Sequence, residues 1–232
     1  MLVSGRNNVK EILKNFKEKN IIKKVICTKN FNEKDILSLV EKMNLPLEFK
    51  EKFELDRLAK NNHQGIIMIT SDFNYLSLDE LLRTNPSKLI ILDHLEDPHN
   101  FGAIIRTVEA SGVNGIIIPK NRTVSVNETV MKTSVGSLFN VNICQVTNLN
   151  QTIKTLKKKG FWIIGTDMDG ENYQSVKYPD KSVLIIGSEG FGISRLVRES
   201  CDYIVKIPMN GKINSLNASV AAGIMIYELI RK

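Results

Sequence analysis

The 232-residue chain has few of the residues that mark disulfide-bonded, membrane-spanning or metal-bound proteins. Its three cysteines, Cys27, Cys144 and Cys201, are far apart and odd in number. This argues against a disulfide framework or a zinc knuckle and predicts buried free thiols. The apolar runs, such as the one in Lys88–Leu92, are too short to span a bilayer. The N-terminus shows no basic region followed by an apolar core, so we expect no signal peptide and a cytoplasmic protein.

The positive charge of the chain is unevenly distributed. The net charge is +7; residues 1–70 hold 14 Lys and Arg against 9 Asp and Glu, a net of +5, and residues 71–232 hold 18 against 16, a net of +2. Such asymmetry indicates that the N-terminal part contacts a polyanion. A lysine-rich solvated surface would explain the excess equally well.

Helix and strand patterns alternate along the chain without internal repeats. Residues 1–70 are predicted to form a small α/β domain, residues 71–87 a linker with a short helix at 78–82, and residues 88–232 a second α/β domain. The first predicted helix presents the apolar residues Val9, Ile12, Leu13 and Phe16 on one face.

The second domain is predicted to contain a mostly parallel sheet covered by helices on both faces, because strands and helices alternate in it. Ligands of such sheets bind in the loops at the carboxyl ends of the strands. The predicted strands are 88–92, 115–118, 141–146, 161–166, 182–186 and 203–207, and the predicted helices are about 100–110, 127–134, 149–159, 192–200 and 216–231.

The first of these loops lies in ILDHLEDPHNFGAIIRT, residues 90–106. Five metal-capable side chains lie within 93–99, but the two histidines do not share a helical face and no second cluster of ligands occurs elsewhere. We therefore interpret the turn as a scaffold, in which Pro98 opens a helix that carries Asn100 and Arg106. Asn100 is expected to cap or flank the first turn of that helix. A solvated helix charge is the alternative for Arg106.

Two later loops also carry polar residues at strand ends. VLIIGSEGFGISRL, residues 183–196, is a strand, a glycine-rich turn and a helix, and such turns let backbone amides approach a ligand. Glu189 in this turn would repel a phosphate, which favours a neutral or cationic ligand. In IPMNGKINSLNASVAAGIMIYELI, residues 207–230, Ser215 and Asn217 precede a helix rich in small residues that suits close packing. An N-cap role explains one of these two residues.

Together the three segments resemble the SpoU branch of the SPOUT methyltransferases, which methylate ribose 2′-hydroxyls in RNA. The resemblance rests on DPHNFGAIIRTVEASGVNGIIIP, LIIGSEGFGISRLV and IPMNGKINSLNASVAAGIMIYE, in the order and spacing of the family's motifs, and covers residues 88–231. The segments SGRNNVKEIL and NNHQGIIMI are similar to a small ribosomal-protein-like RNA-binding domain. That domain belongs to the subgroup that methylates a guanosine of large-subunit (23S) ribosomal RNA.

The resemblance implies a SPOUT α/β fold with a C-terminal deep trefoil knot, a homodimer, and S-adenosylmethionine as methyl donor without a metal. Arg106 would act on the ribose hydroxyl, either as a base or as an electrostatic stabiliser. The implied catalytic residues are Asn100, Arg106, Glu189, Ser215 and Asn217, and the implied donor-binding residues are Gly187, Ile207 and Leu216.

One segment departs from the subgroup. After KTSVG the chain has Ser137, Leu138 and Phe139, where many members read a small residue, Ala and Glu. The loop lies near the active site in relatives, so the departure concerns the target nucleotide. Ribosomal RNA is the expected substrate, and the alternatives are a tRNA ribose methyltransferase and a non-catalytic RNA-binding protein.

Overall fold

The computed structural model describes residues 1–15, 21–59 and 62–231. Within these ranges no helix is both long enough and apolar enough to cross a bilayer. Phe16, an apolar residue of the first predicted helix, lies outside the described residues.

Contacts divide the chain into two units, each of which consists of two segments. The first unit is Met1–Asn74 with Val126–Phe139, and the second is Tyr75–Ser125 with Asn140–Lys232. Two stretches thus group differently from the predicted division of the chain. Residues 75–87, predicted as part of a linker, belong to the second unit, where Leu81 is fully buried. Residues 126–139, predicted as part of the second domain, belong to the first.

The first unit is built on a mixed sheet with the strand order β1-β4-β2-β3. β4 pairs antiparallel with β1 and with β2, and β2 pairs parallel with β3. Val9, Ile12 and Leu13 of α1 are buried, as their spacing predicts. The elements are β1 (Leu2–Ser4), α1 (Arg6–Asn15), β2 (Ile22–Thr28), α2 (Lys34–Lys42), β3 (Leu47–Lys50), α3 (Lys52–Leu58) and β4 (Ile66–Thr70).

A later segment of the chain completes the first unit. Before this segment the chain forms four elements of the second unit, which are α4 (Leu78–Arg83), β5 (Lys88–Asp93), α5 (Pro98–Ser111) and β6 (Gly115–Pro119). The segment itself contains α6 (Glu128–Ser134) and belongs to the first unit. Val130 and Met131 of α6 are buried, and Ser4 Oγ donates to Glu128 at 3.3 Å. A short 3-10 helix follows at Ser137–Asn140 and buries Leu138, so the segment that departs from the subgroup contributes to packing.

The second unit contains a sheet of six described strands, all parallel, in the order β10-β8-β9-β5-β6-β7. The predicted mostly parallel sheet is confirmed. Strand β8 is longer than predicted, because its second half continues along β10 after a register shift between Ile204 and Val205. The remaining elements are β7 (Ile143–Val146), α7 (Leu149–Lys158), β8 (Trp162–Asn172), β9 (Ser182–Gly187), α8 (Arg195–Glu199), β10 (Tyr203–Lys206) and α9 (Ala218–Leu229).

Both faces of this sheet are covered, which explains its nearly continuous apolar strands. Side chains of one face, such as Leu89 and Ile91 of β5, pack in a buried cluster with α4, α7 and α8. On the other face, α5 and α9 pack against each other and contact β6 and β9. After β9 the chain passes to β10, on the far side of β8, and α9 then returns to β9. The trefoil knot itself stays a prediction.

Candidate functional site

The candidate site begins where β5 and β9 end side by side, since Asp93 and Gly187 are partners in the parallel register. The Asp93 side chain is almost fully buried. Its Oδ2 accepts a hydrogen bond from Ser194 N at 2.6 Å, and its Oδ1 is hydrogen-bonded to His94 Nδ1. Asp93 therefore fastens the end of the glycine-rich loop to the end of β5. Sequence reasoning placed Asp93 in the scaffold turn without this role, because its partner lies 101 residues later.

The glycine-rich loop, residues 187–194, is closed by two backbone hydrogen bonds between Ser188 and Gly192, each 3.0 Å long. A Cβ at Gly187 would lie 2.1 Å from the carbonyl carbon of Gly192. Carbon atoms in contact are ~3.5–4.0 Å apart, so no larger residue fits there. The structure requires glycine at position 187 because the loop's own backbone approaches it closely, and the approach of a ligand to the loop stays a prediction.

Glu189 joins the two helices that begin at the site. Its Oε1 accepts hydrogen bonds from Asn100 Nδ2 at 2.8 Å, Asn217 Nδ2 at 2.8 Å and Ala218 N at 3.1 Å. A carboxylate is stabilised at helix N-termini, where free N–H groups and the helix dipole present positive charge. Three residues that the resemblance named as catalytic, far apart in sequence, are therefore held together by one carboxylate oxygen.

Local capping explains how the two asparagines are aimed at Glu189. Asp97 is the N-cap of α5, and its side chain accepts a hydrogen bond from the backbone N–H of Asn100 at 2.7 Å. The side-chain amide of Asn100 is therefore not needed for capping and points towards the loop. The predicted capping role of Asn100 is therefore taken by Asp97, and Asn100 flanks the cap. Asn217 caps α9 through Oδ1, which accepts from Ser219 N at 3.0 Å, and donates to Glu189 through Nδ2.

Cavity A, of about 380 Å³, lies on one side of the glycine-rich loop. Its wall includes the three predicted donor-binding residues, Gly187, Ile207 and Leu216, and the predicted catalytic residue Ser215. Met209 and Met225 add apolar surface, and the carboxylates of Asp167 and Glu189 add negative charge. The Asp167 carboxylate is hydrogen-bonded to Arg198 at the rim. Arg198 therefore neutralises that carboxylate.

Cavity B, of about 610 Å³, is lined by residues of the turn after β5, by Arg122 and by the glycine-rich loop. Four loop residues, Ser188, Glu189, Phe191 and Gly192, line both cavities. Asn100, only 7% exposed, also lines cavity B. The site therefore consists of two adjacent cavities separated by one loop, with the Glu189 carboxylate at their border.

Of the predicted catalytic residues, Asn217 and Arg106 line neither cavity, and Asn217 reaches their border through its hydrogen bond to Glu189 whereas Arg106 does not. Arg106 is exposed on α5, six residues after Asn100, which is ~9 Å along the helix at 1.5 Å per residue. Within the described ranges its side chain forms no hydrogen bond and no ion pair. Sequence spacing located Arg106 on the right helix but could not tell which surface it serves.

The other titratable groups near the site do not assemble a metal centre. Among the described residues, no three His, Cys, Asp or Glu side chains are grouped closely enough to hold an ion. The three thiols are free. Burial raises the pKa of Cys201, which lies beside α8, to about 12, so it stays a neutral thiol at physiological pH.

These features define a ligand-binding α/β protein whose site lies at the carboxyl ends of parallel strands. Its family follows from comparison with known proteins. Residues 87–227 match the SpoU rRNA Methylase family, and residues 2–76 match the family described as RNA 2′-O ribose methyltransferase substrate binding. The chain belongs to the SpoU rRNA methylase family, which confirms the family inferred from the three motifs.

Relatives and solved structures agree with this assignment. The chain is 38% identical over 236 residues to YacO of Bacillus subtilis (strain 168), which is named as a TrmH family tRNA/rRNA methyltransferase, covering 99% of this chain and 95% of YacO. The fold of the present chain is similar to that of the SpoU methyltransferase AviRb from Streptomyces viridochromogenes in complex with the cofactor AdoMet. That similarity has a TM-score of 0.82 at 20% identity and covers 99% of this chain and 89% of AviRb. The A. aeolicus TrmH/SpoU tRNA modifying enzyme is 32% identical with a TM-score of 0.57, over 66% of this chain and 80% of that one.

Proposed function

We propose that the protein transfers a methyl group from S-adenosylmethionine to a ribose 2′-hydroxyl of RNA, with a guanosine of large-subunit ribosomal RNA as the target. The observation that carries this proposal is the Glu189 junction. One carboxylate, which lines both cavities, holds Asn100 and Asn217. One of these cavities suits a donor and the other an acceptor.

Cavity A has the chemistry that S-adenosylmethionine requires. Its volume lies within the ~300–1,000 Å³ of typical ligand pockets. Ile207, Leu216 and Met225 offer apolar surface to an adenine ring, and the backbone of the strand ends offers hydrogen-bonding groups to its edge. The Glu189 carboxylate suits a cation, and S-adenosylmethionine carries its reactive methyl group on a positively charged sulfonium.

The residues of the chain then act by positioning and by electrostatics. Alignment of two reacting groups supplies up to ~7–11 kcal/mol of the barrier without a metal. Asn100 and Asn217 hold the Glu189 carboxylate still, and Glu189 keeps the loop between the cavities in place. Ser215 is proposed to shape the turn over cavity A. The oxygen of a 2′-hydroxyl that enters from cavity B would bond to the methyl carbon as the bond from that carbon to the sulfonium sulfur breaks. The donor then leaves as a neutral thioether, and the hydroxyl proton passes to solvent water.

Arg106 is proposed to stabilise the oxygen that develops negative charge, or the adjacent phosphate. A guanidinium remains protonated in proteins, which favours this role over that of a base. Because Arg106 lines neither cavity of its own chain, the role requires a homodimer in which a partner supplies it. The exposed residues Val220 and Tyr227 on α9, with open space at Gly223 between them, offer an apolar surface for such a dimer.

The RNA target is inferred from the N-terminal domain. Its net charge of +5 suits phosphate contacts, and its match to a substrate-binding family supports a role in holding RNA. The second candidate is a tRNA ribose methyltransferase, favoured by the similarity to the A. aeolicus tRNA modifying enzyme. We expect either reaction in the cytoplasm.

Ribose methylation mapped across total RNA, with and without this gene, tests the proposal. We expect one guanosine of large-subunit ribosomal RNA to lose its 2′-O-methyl group in the deletion and to regain it when the gene is restored. A lost site in tRNA would favour the second candidate. An unchanged map, with recombinant protein that transfers no methyl group to RNA from the deletion strain, would refute both.

A further inference from the structure

The tip of the glycine-rich loop presents an aromatic ring to solvent. Phe191 is 93% exposed, more than any other large apolar side chain described, and it lies between Gly190 and Gly192, whose φ angles are +84° and +65°. It borders both cavity A and cavity B. Exposed aromatic rings beside a cavity are surfaces on which unstacked RNA bases stack.

Two charged side chains of cavity B have no partner in the described part of the chain. Glu96 and Arg122 are both exposed, and neither side chain forms a hydrogen bond or an ion pair there. The other acids of cavity B are engaged: Asp93 with Ser194, Asp97 as the cap of α5, and Glu189 with the two asparagines. Glu96 therefore offers two free acceptors and Arg122 a free set of donors to a ligand.

Hydrogen bonds also join the two segments that carry these side chains. Thr123 Oγ1 and Val124 N both donate to the carbonyl oxygen of Leu95, at 2.9 and 2.8 Å. The loop that carries Arg122 is thus fastened to the residue that precedes Glu96. Both side chains, a free carboxylate and a free guanidinium, line cavity B.

From these observations we infer that cavity B receives the nucleotide to be methylated, turned out of the RNA, with its base against Phe191 and Glu96 and an adjacent phosphate on Arg122. This inference rests on the proposed function and assigns its acceptor site. The volume of about 610 Å³ is within the range of ligand pockets. Since Phe191 borders cavity A as well, a base stacked on it would bring its ribose to the border with the donor.

The carboxylate of Glu96 selects among the bases. Guanine presents two adjacent donors on its Watson–Crick edge, N1–H and the 2-amino group, and an ionised carboxylate is an acceptor with two oxygens that can take both. Adenine, cytosine and uracil each present a single donor group on that edge. The unpartnered Glu96 therefore makes cavity B a guanine site.

Four variants test the assignment, each with a matched control that lines neither cavity. Phe191→Ala and Phe191→Trp are compared with Leu196→Ala, another exposed apolar side chain; Glu96→Gln is compared with Glu199→Gln, and Arg122→Met with Arg195→Met. The substrate is total RNA from a strain that lacks the gene, in single-turnover reactions over a range of RNA concentrations. The methylated nucleoside is identified by mass spectrometry after digestion.

We expect 2′-O-methylguanosine from the wild-type protein. Phe191→Ala should raise the half-saturating RNA concentration about 5- to 150-fold, the range for loss of one stacked base, whereas Phe191→Trp should remain near wild type. Glu96→Gln should lower the rate on guanosine at least tenfold, because its amide replaces one acceptor by a donor. It should leave donor affinity unchanged, because Glu96 does not line cavity A.

The inference is wrong if the methylated nucleoside is not a guanosine, or if the Phe191 and Glu96 variants behave like their controls. Saturation-transfer NMR measures how the four ribonucleoside 5′-monophosphates bind to the full chain without any methyl transfer. It therefore tests the assignment of cavity B independently of the proposed function. A wild-type protein that transfers no methyl group refutes the proposed function. Preference for guanosine monophosphate that is lost in Glu96→Gln would still support cavity B, and equal binding of all four would refute it.

Discussion

Replacement of Gly187 by alanine tests the packing on which both cavities depend. The added Cβ would lie 2.1 Å from Gly192 C and 2.4 Å from Ile193 N, which is more than 1 Å short of normal contact. Both neighbours are backbone atoms, so relief requires the loop to move and the paired Ser188–Gly192 hydrogen bonds to weaken. Overpacking costs ~1–3 kcal/mol and each lost hydrogen bond ~1 kcal/mol.

We therefore expect Gly187→Ala to lower the free energy of unfolding by about 2–4 kcal/mol. At ~2–4 °C per kcal/mol for a chain of this size, the melting temperature should fall by about 4–16 °C. Affinity for S-adenosylmethionine, measured by calorimetry below the melting range, should fall at least tenfold, since the displaced loop is a wall of cavity A. The matched control is Gly211→Ala, because a Cβ added there would meet nothing within 4 Å. A Gly187→Ala protein that melts and binds donor like this control would refute the argument.

Three further results are expected. Arg106→Ala should nearly abolish single-turnover methylation yet keep donor affinity and the melting temperature near wild type, because Arg106 is exposed and lines neither cavity; near-normal turnover would remove it from the catalytic set. Activity should survive a strong chelator that leaves the RNA folded, and loss of activity that zinc restores would contradict the metal-free chemistry. Burial raises the pKa of the Cys144 thiol from 9.0 to about 12, so its contribution to stability is complete below pH 9 and is lost as pH rises towards 12. Between pH 8 and pH 10 the free energy of unfolding of Cys144→Ala, measured in denaturant melts, should fall by about 1 kcal/mol less than that of the wild type. Equal decreases would contradict a raised pKa of the Cys144 thiol.

The second unit illustrates how far local sequence patterns reach. Apolar strands such as Leu89–Ile91 alternate with amphipathic helices, and that alternation is enough to predict a parallel sheet with a site at the strand ends. The ends of the strands were less predictable where pairing with a strand far away in the sequence decides them. The second half of β8 is a strand because β10 pairs with it, and nothing in the local sequence announces that partner.

Residues 126–139 show the same limit for the division of the chain. Their helical pattern was predictable, and α6 was found where expected. The unit to which they belong follows from contacts with residues far earlier in the chain, such as the hydrogen bond between Ser4 and Glu128, which are 124 positions apart. The apolar character of Val130, Met131 and Leu138 predicts that they are buried but does not specify against which unit.

At the candidate site, the family and the polar residue types of the three loops were predictable from the order of amino acids alone. Motif order and spacing carry this information, because turns and caps are local and depend on residues such as Asp97, Pro98 and Gly187. Three further features follow from tertiary contacts: Glu189 joins Asn100 to Asn217, Arg106 stays outside both cavities, and Glu96 and Arg122 have no partner among the described residues. Those facts are distances between residues far apart in the chain, and such distances exist only after the sheet and its helices have packed.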